Sequence, residues 1–251
     1  MLPVTSPVHT RPLSFLPAAG RWLLALGVAG HMTACAALRH QEAASVSEAP
    51  VPEASLPLIS EPPLKLPAIG ALWSPNFNSR KGAGITAIVL HHTASSGDAR
   101  SIARYFQDHQ AKVSAHYVID RDGSIIRCVS DDKRAWHAGP SRFAGEGNVN
   151  DFSLGIEICN RGDGLESYPP EQMTAVARLV AHLADRYRIP LERVTRHRDV
   201  ALPHGIKIDP SDNFDFEGCI RRARHLLDDQ ALWLAQRQDR RAARLSVAEG
   251  G

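Results

Sequence analysis

No run in this chain is apolar for long enough to cross a bilayer, no two cysteines stand at CxxC spacing, and neither sign of charge is in clear excess. Each shortage excludes a class of protein. The apolar segment near the N-terminus, "WLLALGVAG", falls well short of the ~20 residues a spanning helix needs, so it does not read as one. Apart from Cys35 the chain carries Cys128, Cys159 and Cys219, an odd number without regular spacing. They provide no disulfide framework and read as buried free thiols with at most one bridge. The formal net charge is +2, and Arg11 and Arg21 account for it: residues 1–34 contain no acid, and beyond them 27 basic side chains meet 27 acidic ones. That balance gives no electrostatic reason to expect nucleic acid as a partner, and it suggests no basic patch for anionic headgroups. Aromatics are few, and there is no internal repeat.

What is present begins with an address. Arg21, the apolar segment and the small residues before Cys35 describe an export signal. "MTAC" also resembles a bacterial lipobox, with methionine where leucine is usual. That resemblance implies cleavage before Cys35 and a lipid on it; the alternative is a plain signal with an incidental cysteine. Ala36, where an aspartate would retain a lipoprotein at the inner membrane, implies the outer membrane, facing the periplasm. Residues 36–67 are rich in Ala, Ser, Glu and Pro without periodicity, a linker composition. At ~3.3 Å per residue they reach about 100 Å. The expected division is a signal over 1–34, a lipidated cysteine and linker over 35–71, a folded domain over 72–216 and a helical extension over 217–251.

Strand and helix signals alternate from Leu72 onward. "TAIVLHH" is apolar on both faces and reads as a buried strand. "GDARSIARYFQDHQ" follows at helical spacing through Ile102, Tyr105, Phe106 and His109. "SAHYVID" and "SIIRCVS" flank "RDG", a hairpin signal, and "FSLGIEICN" is another strand. In "PPEQMTAVARLVAHLADRYRIP" a proline opens a helix, Met173, Val176, Val180, Leu183 and Tyr187 make its stripe, and Pro190 closes it. "RVTRHRDV" is a short strand, and the C-terminal segment is helical and amphipathic. The fold class expected is α/β: a mixed central sheet flanked by helices in three layers.

Four polar sites stand where such a core would present apolar residues. His91 closes the first strand, Glu157 interrupts "LGIEIC", His197 lies in "VTRHRDV", and Lys207 and Asp209 lie in "HGIKIDPS". Taken singly, a strand-end histidine is usually a hydrogen-bonded structural residue, and an aspartate before proline is usually a turn residue. A charge on a central strand, by contrast, is costly to bury unless it is paired or employed. Together, two imidazoles and one carboxylate suffice for a catalytic Zn²⁺ with an open fourth position. A glutamate could then act on water and a lysine on an oxyanion.

Three stretches in order, "VSAHYVIDRDGSI", "DKRAWHAGPSRFAGEGNVNDFSLGIEI" and "RHRDVALPHGIKIDP", resemble the successive motifs of the zinc-dependent N-acetylmuramoyl-L-alanine amidases. That family takes in wall-recycling enzymes, exported lipoproteins and peptidoglycan recognition proteins. The resemblance runs from about Ile85 to Phe216. It implies a peptidoglycan-amidase fold, zinc held by His91, His197 and Asp209, Glu157 acting on the zinc-bound water, and Lys207 stabilising the oxyanion. His92 falls on a position the family leaves variable. Trp136 and His137 of "AWHAG" are expected to line the substrate cleft, Trp136 being equally readable as a core aromatic. The loop "ALPHG" is about two residues longer than in the recycling enzymes, and Ser211 stands where glycine often follows Asp-Pro. The longer loop introduces His204 as a competing ligand; Asp199 is the other carboxylate in range. His116 and Tyr117 face opposite sides of their strand.

The function implied is hydrolysis of the amide between N-acetylmuramic acid, or its anhydro form, and L-alanine of the stem peptide. Peptidoglycan or released muropeptide is the partner, and a lipid anchor provides the membrane contact. Two rival readings remain open: a wall-binding or sensing module that has kept the fold without the chemistry, and a C-terminal helix that serves as an oligomer contact or membrane-surface element.

Overall fold

A computed structural model describes residues 58–249; the export signal, Cys35 and the first part of the linker lie outside the described residues. The strands are β1 (Ile69–Ala71), β2 (Phe77–Ser79), β3 (Ala87–His92), β4 (Tyr117–Ile119), β5 (Ile125–Arg127), β6 (Lys133–Ala135), β7 (Arg142–Phe143), β8 (Glu146–Gly147), β9 (Ser153–Ile158) and β10 (Val194–Arg196). The helices are α1 (Ala99–Gln107), α2 (Pro170–Tyr187), the single turn α3 (His197–Val200) and α4 (Phe216–Glu249). Six strands form one sheet in the order β1-β5-β4-β9-β3-β10, in which only β4 and β5 pair antiparallel. β2–β6 and β7–β8 are small antiparallel pairs outside it. Among the described residues no helix is long and apolar enough to cross a membrane.

Strand alternation sorts the side chains into layers. On one face Ile88, Leu90, Ile119, Leu154 and Ile156 meet the α2 stripe of Met173, Val176, Val180 and Leu183, with Cys219 and Ala223 of α4. On the other face α1 covers only part of the sheet, packing Ala103 and Phe106 against Val118, Cys128 and Cys159. The rest of that face is lined by Ala87, Val89, Val149, Phe152 and Val200. This is the three-layer α/β arrangement expected, with one face only half roofed by helix. Pro170 stands in the first turn of α2, where its missing N–H costs nothing. In the β4–β5 hairpin Gly123 has φ +82°, and a side chain there would run into the Glu171 carbonyl. The three described cysteines are buried and unbridged.

The boundaries differ from those expected. Leu64 is buried in the main core and β1 belongs to the central sheet, so the fold reaches back into the expected linker. Apolar burial, which composition alone does not report, sets that limit. The first turns of α4 likewise belong to the domain rather than to an extension, since Cys219 and Ala223 are fully buried. Tyr105 is exposed despite its place in the helical stripe of α1.

Candidate metal centre

β9, β3 and β10 lie side by side and parallel, and their carboxyl ends deliver Glu157, His91 and His197 in one row. Glu157 is the register partner of His91. Arg196, the last residue of β10, pairs with Leu90, so His197 follows level with His91 and opens α3. The carboxyl ends of parallel strands are where α/β sheets gather ligand sites. The loop after α3 returns Asp209 to the same place, its main-chain carbonyl accepting from the Arg198 N–H at 2.9 Å. One oxygen, Asp209 Oδ2, lies 3.2 Å from His91 Nδ1 and 2.9 Å from His197 Nδ1. The three donor atoms lie within 4.8 Å of one another, and all three side chains are buried.

Hydrogen-bond polarity shows what this cluster is built to hold. The Ser153 hydroxyl donates to the Val149 carbonyl at 2.6 Å, a partner that can only accept. Ser153 Oγ lies 3.2 Å from His137 Nε2, so that nitrogen carries the proton and donates. His137 Nδ1 is then a lone pair, and it meets His91 Nε2 at 3.0 Å. His91 must therefore donate from Nε2, which leaves its Nδ1 as a lone pair facing the Asp209 carboxylate. Two acceptors at 3.2 Å repel unless a cation lies between them. His91 itself is a poor source of that charge: burial pushes its pKa down to about 4, against the raising effect of Asp209. The donor set of two imidazoles and a carboxylate, with the His91 tautomer fixed in this way, fits a divalent metal ion.

Glu157 completes the site from the neighbouring strand. Its Oε2 is shielded from solvent and has no hydrogen-bond partner among the described residues. Burial raises its pKa well above the ordinary value, and the Asp209 charge raises it further; Lys207 opposes both. Asp209 behaves in the opposite way. Burial would raise its pKa, but the His197 and His91 rings set against its carboxylate outweigh that and hold it below the usual carboxylate range. Two carboxylates in one site thus have pKa values pushed apart, the condition under which one stays ionised while the other exchanges a proton. Lys207 is exposed, and its charge acts on both His91 and Glu157.

The expected residues separate. His91 and His92 point to opposite faces of β3. His92 Nδ1 accepts from the Ser211 N–H at 3.2 Å, and its ring packs where a side chain on Gly162 would sit. It therefore anchors the loop that carries Asp209, and Ser211 supplies that tie. His204 is exposed and outside the cluster, and Asp199 is paired with Arg196 at 2.7 Å, so neither competes. Trp136 is half-buried beside the β2–β6 pair, its indole N–H donating to Asn78 Oδ1 at 2.6 Å.

The expectation for His137 is corrected. It does not line a cleft but is buried behind His91, its ring lying over the Cα of Gly155, where any side chain would overlap it. Sequence reasoning missed this role and that of Ser153. The signal available was Gly155, a glycine within a strand, which marks close approach. His116 is also buried: its Nδ1 accepts from the Gly155 N–H at 2.9 Å, and Arg80 lies beside it, donating to the Ser153 carbonyl at 2.8 Å.

The family model described as N-acetylmuramoyl-L-alanine amidase matches residues 81–212, a stretch that contains every side chain of the centre. The 1,6-anhydro-N-acetylmuramyl-L-alanine amidase AmpD of Haemophilus influenzae is 36% identical over 164 residues, covering 58% of this chain and 87% of that protein. The protein of the same name from Escherichia coli is 41% identical over 105 residues, 42% of this chain. The matched stretch is only 55% of that relative's length. Among solved structures, a selenomethionine derivative of AmpD aligns with a TM-score of 0.53 at 28% identity, covering 65% of this chain and 97% of that one.

Two measurements follow from the geometry. Equilibrium dialysis with a divalent metal should show binding lost in His91→Ala and kept in His92→Ala; the reverse pattern would refute the assignment of ligands. Ser153→Ala frees His137 to take the other tautomer and should weaken metal affinity by about 10–100-fold, the usual effect of losing an outer partner. Unchanged affinity would mean that the hydrogen-bond chain does not orient His91.

Proposed function

Because the chain belongs to the N-acetylmuramoyl-L-alanine amidase family, we propose that it hydrolyses the amide joining the lactyl group of N-acetylmuramic acid to the L-alanine of the peptidoglycan stem peptide. The 1,6-anhydro form named for its relatives is included in that substrate class. The observation that carries this reading is the meeting of His91 Nδ1, His197 Nδ1 and Asp209 Oδ2 beside a glutamate with an unpartnered buried oxygen.

Zinc is the ion proposed for this donor set, and when bound it would supply Lewis acidity to the reacting carbonyl and the attacking water. The chain's own residues do the rest. Glu157, with its raised pKa, accepts a proton from the attacking water and passes it to the nitrogen of the departing L-alanine, so the C–N bond breaks as a neutral amine leaves. Lys207 places a positive charge where the carbonyl oxygen becomes negative. His137 acts through His91, keeping its Nδ1 free of a proton. Such a scheme needs no serine or cysteine nucleophile. Cys159, two residues beyond Glu157, is buried in an apolar cluster, and burial pushes its thiol pKa well up.

The same proposal extends to location: an exported lipoprotein cleaved before Cys35, held by its lipid in the cell envelope and reaching peptidoglycan through the linker. Intact mass of membrane-extracted protein should show a chain that begins at a lipidated Cys35, and a salt wash should release Cys35→Ser. An unmodified cysteine within a longer chain would contradict it.

The activity is tested by Glu157→Gln, which keeps the shape and removes the ionisable oxygen. Metal content should stay near normal while kcat on a defined muropeptide falls roughly 10²–10⁴-fold, the contribution of a positioned acid–base group. Turnover unchanged in folded, metal-loaded protein would return Glu157 to a structural role.

A further inference from the structure

Among the described residues, the far part of α4 adds no buried side chain to the domain's core. From Arg237 to Leu245 every side chain is exposed. At 3.6 residues per turn, Arg237, Arg240, Arg241 and Arg244 fall within one arc of about 100°, and Asp239, the one acid among them, points away. None of the four has an ion-pair or hydrogen-bond partner among the described residues. Arg237 lies over the ring of Trp233, one turn below, at 4.6 Å. Trp233, the four arginines and Ser60 border a shallow trough, and Leu234 and Leu245 stand exposed nearby. Like charges at spacings of three and four residues repel and weaken a helix. This segment carries four such pairs, an arrangement that an anionic partner would relieve. A near-zero net charge conceals it, so the absence of a basic patch expected from the sequence is corrected here.

A second observation points to the partner. The Ile59 N–H donates to Gln236 Oε1 at 3.2 Å, and Ser60 borders the trough. The segment that leads back toward Cys35 therefore joins the domain at the root of the arginine stripe. We propose that this stripe docks on a membrane surface rich in anionic phospholipid headgroups. The choice of lipid over another polyanion rests on the envelope anchoring proposed above. Guanidinium groups bind phosphate through paired N–H donors, and tryptophan suits the headgroup level, where one end of the ring is apolar and the other wet. A lipid tether would raise the local concentration of that surface, so a weak stripe suffices.

Flotation with vesicles tests this on the full-length Cys35→Ser protein, which carries no acyl chain, so that failure of the lipoprotein reading cannot mimic failure of this one. Phosphatidylglycerol-containing vesicles should carry the protein at low salt and release it at high salt, and pure phosphatidylcholine vesicles should not carry it at all. At roughly fivefold per arginine, R240Q/R241Q/R244Q should weaken binding by about a hundredfold. Turnover of a soluble muropeptide should not change, since these arginines lie outside the catalytic centre. Equal recovery on both vesicle types, or equal binding by the triple variant, would overturn the proposal. So would tighter binding to duplex DNA than to the anionic vesicles, which would make the stripe a nucleic-acid contact.

Discussion

The centre depends on one constraint, the direction in which four hydrogen-bonding groups must point. The Val149 carbonyl can only accept, and from it the polarity passes through Ser153 and His137 to His91. The chain ends with a bare Nδ1 facing a carboxylate. A buried acceptor turned toward a buried anion is unfavourable by itself, and unpaired polar groups in low dielectric cost several kcal/mol. The arrangement makes sense as half of a site whose other half is positive. Burial strengthens the case, because it disfavours a charged imidazole and so leaves an ion as the source of compensation.

The rest of the fold supports that constraint. The half-roofed face of the sheet gives three adjacent strands room to end in polar residues, while the opposite face is filled by α2 and α4. Gly155 brings the His137 ring against β9, and the neighbouring strand position belongs to Glu157. Arg80 spans four backbone carbonyls around this region, from Asp131 to Ser153, which ties the segment bearing Val149 to the sheet. His92 holds the Asp209 loop from the other face. The two adjacent histidines thus have complementary tasks, one in the centre and one fastening the loop that completes it.

Much of this was legible in the residues. Helical spacing found α2, the RDG turn found the β4–β5 hairpin, and polar residues on apolar strands singled out His91, Glu157 and His197. What escaped depends on contacts between segments distant in sequence. His137 sits next to Trp136 in a motif that reads as cleft lining, yet alternation turns one outward toward Asn78 and the other inward behind His91. Ser153 looks like an ordinary strand residue until His137 folds onto it. Leu64 lies within a proline-rich stretch, so its burial could not be seen from composition. The arginine stripe is a matter of helical phase, which a net charge averages away.

The most direct measurement of the central claim follows the oxygen of the attacking water. A defined muropeptide hydrolysed in heavy-oxygen water should yield an unlabelled stem peptide with a free L-alanine amine and a muramic acid bearing one heavy oxygen in its lactyl carboxylate. A chelator should abolish the label, and restored zinc should return it. Label in a peptide carboxylate or on a sugar carbon, or undiminished cleavage by the metal-free protein, would contradict the account.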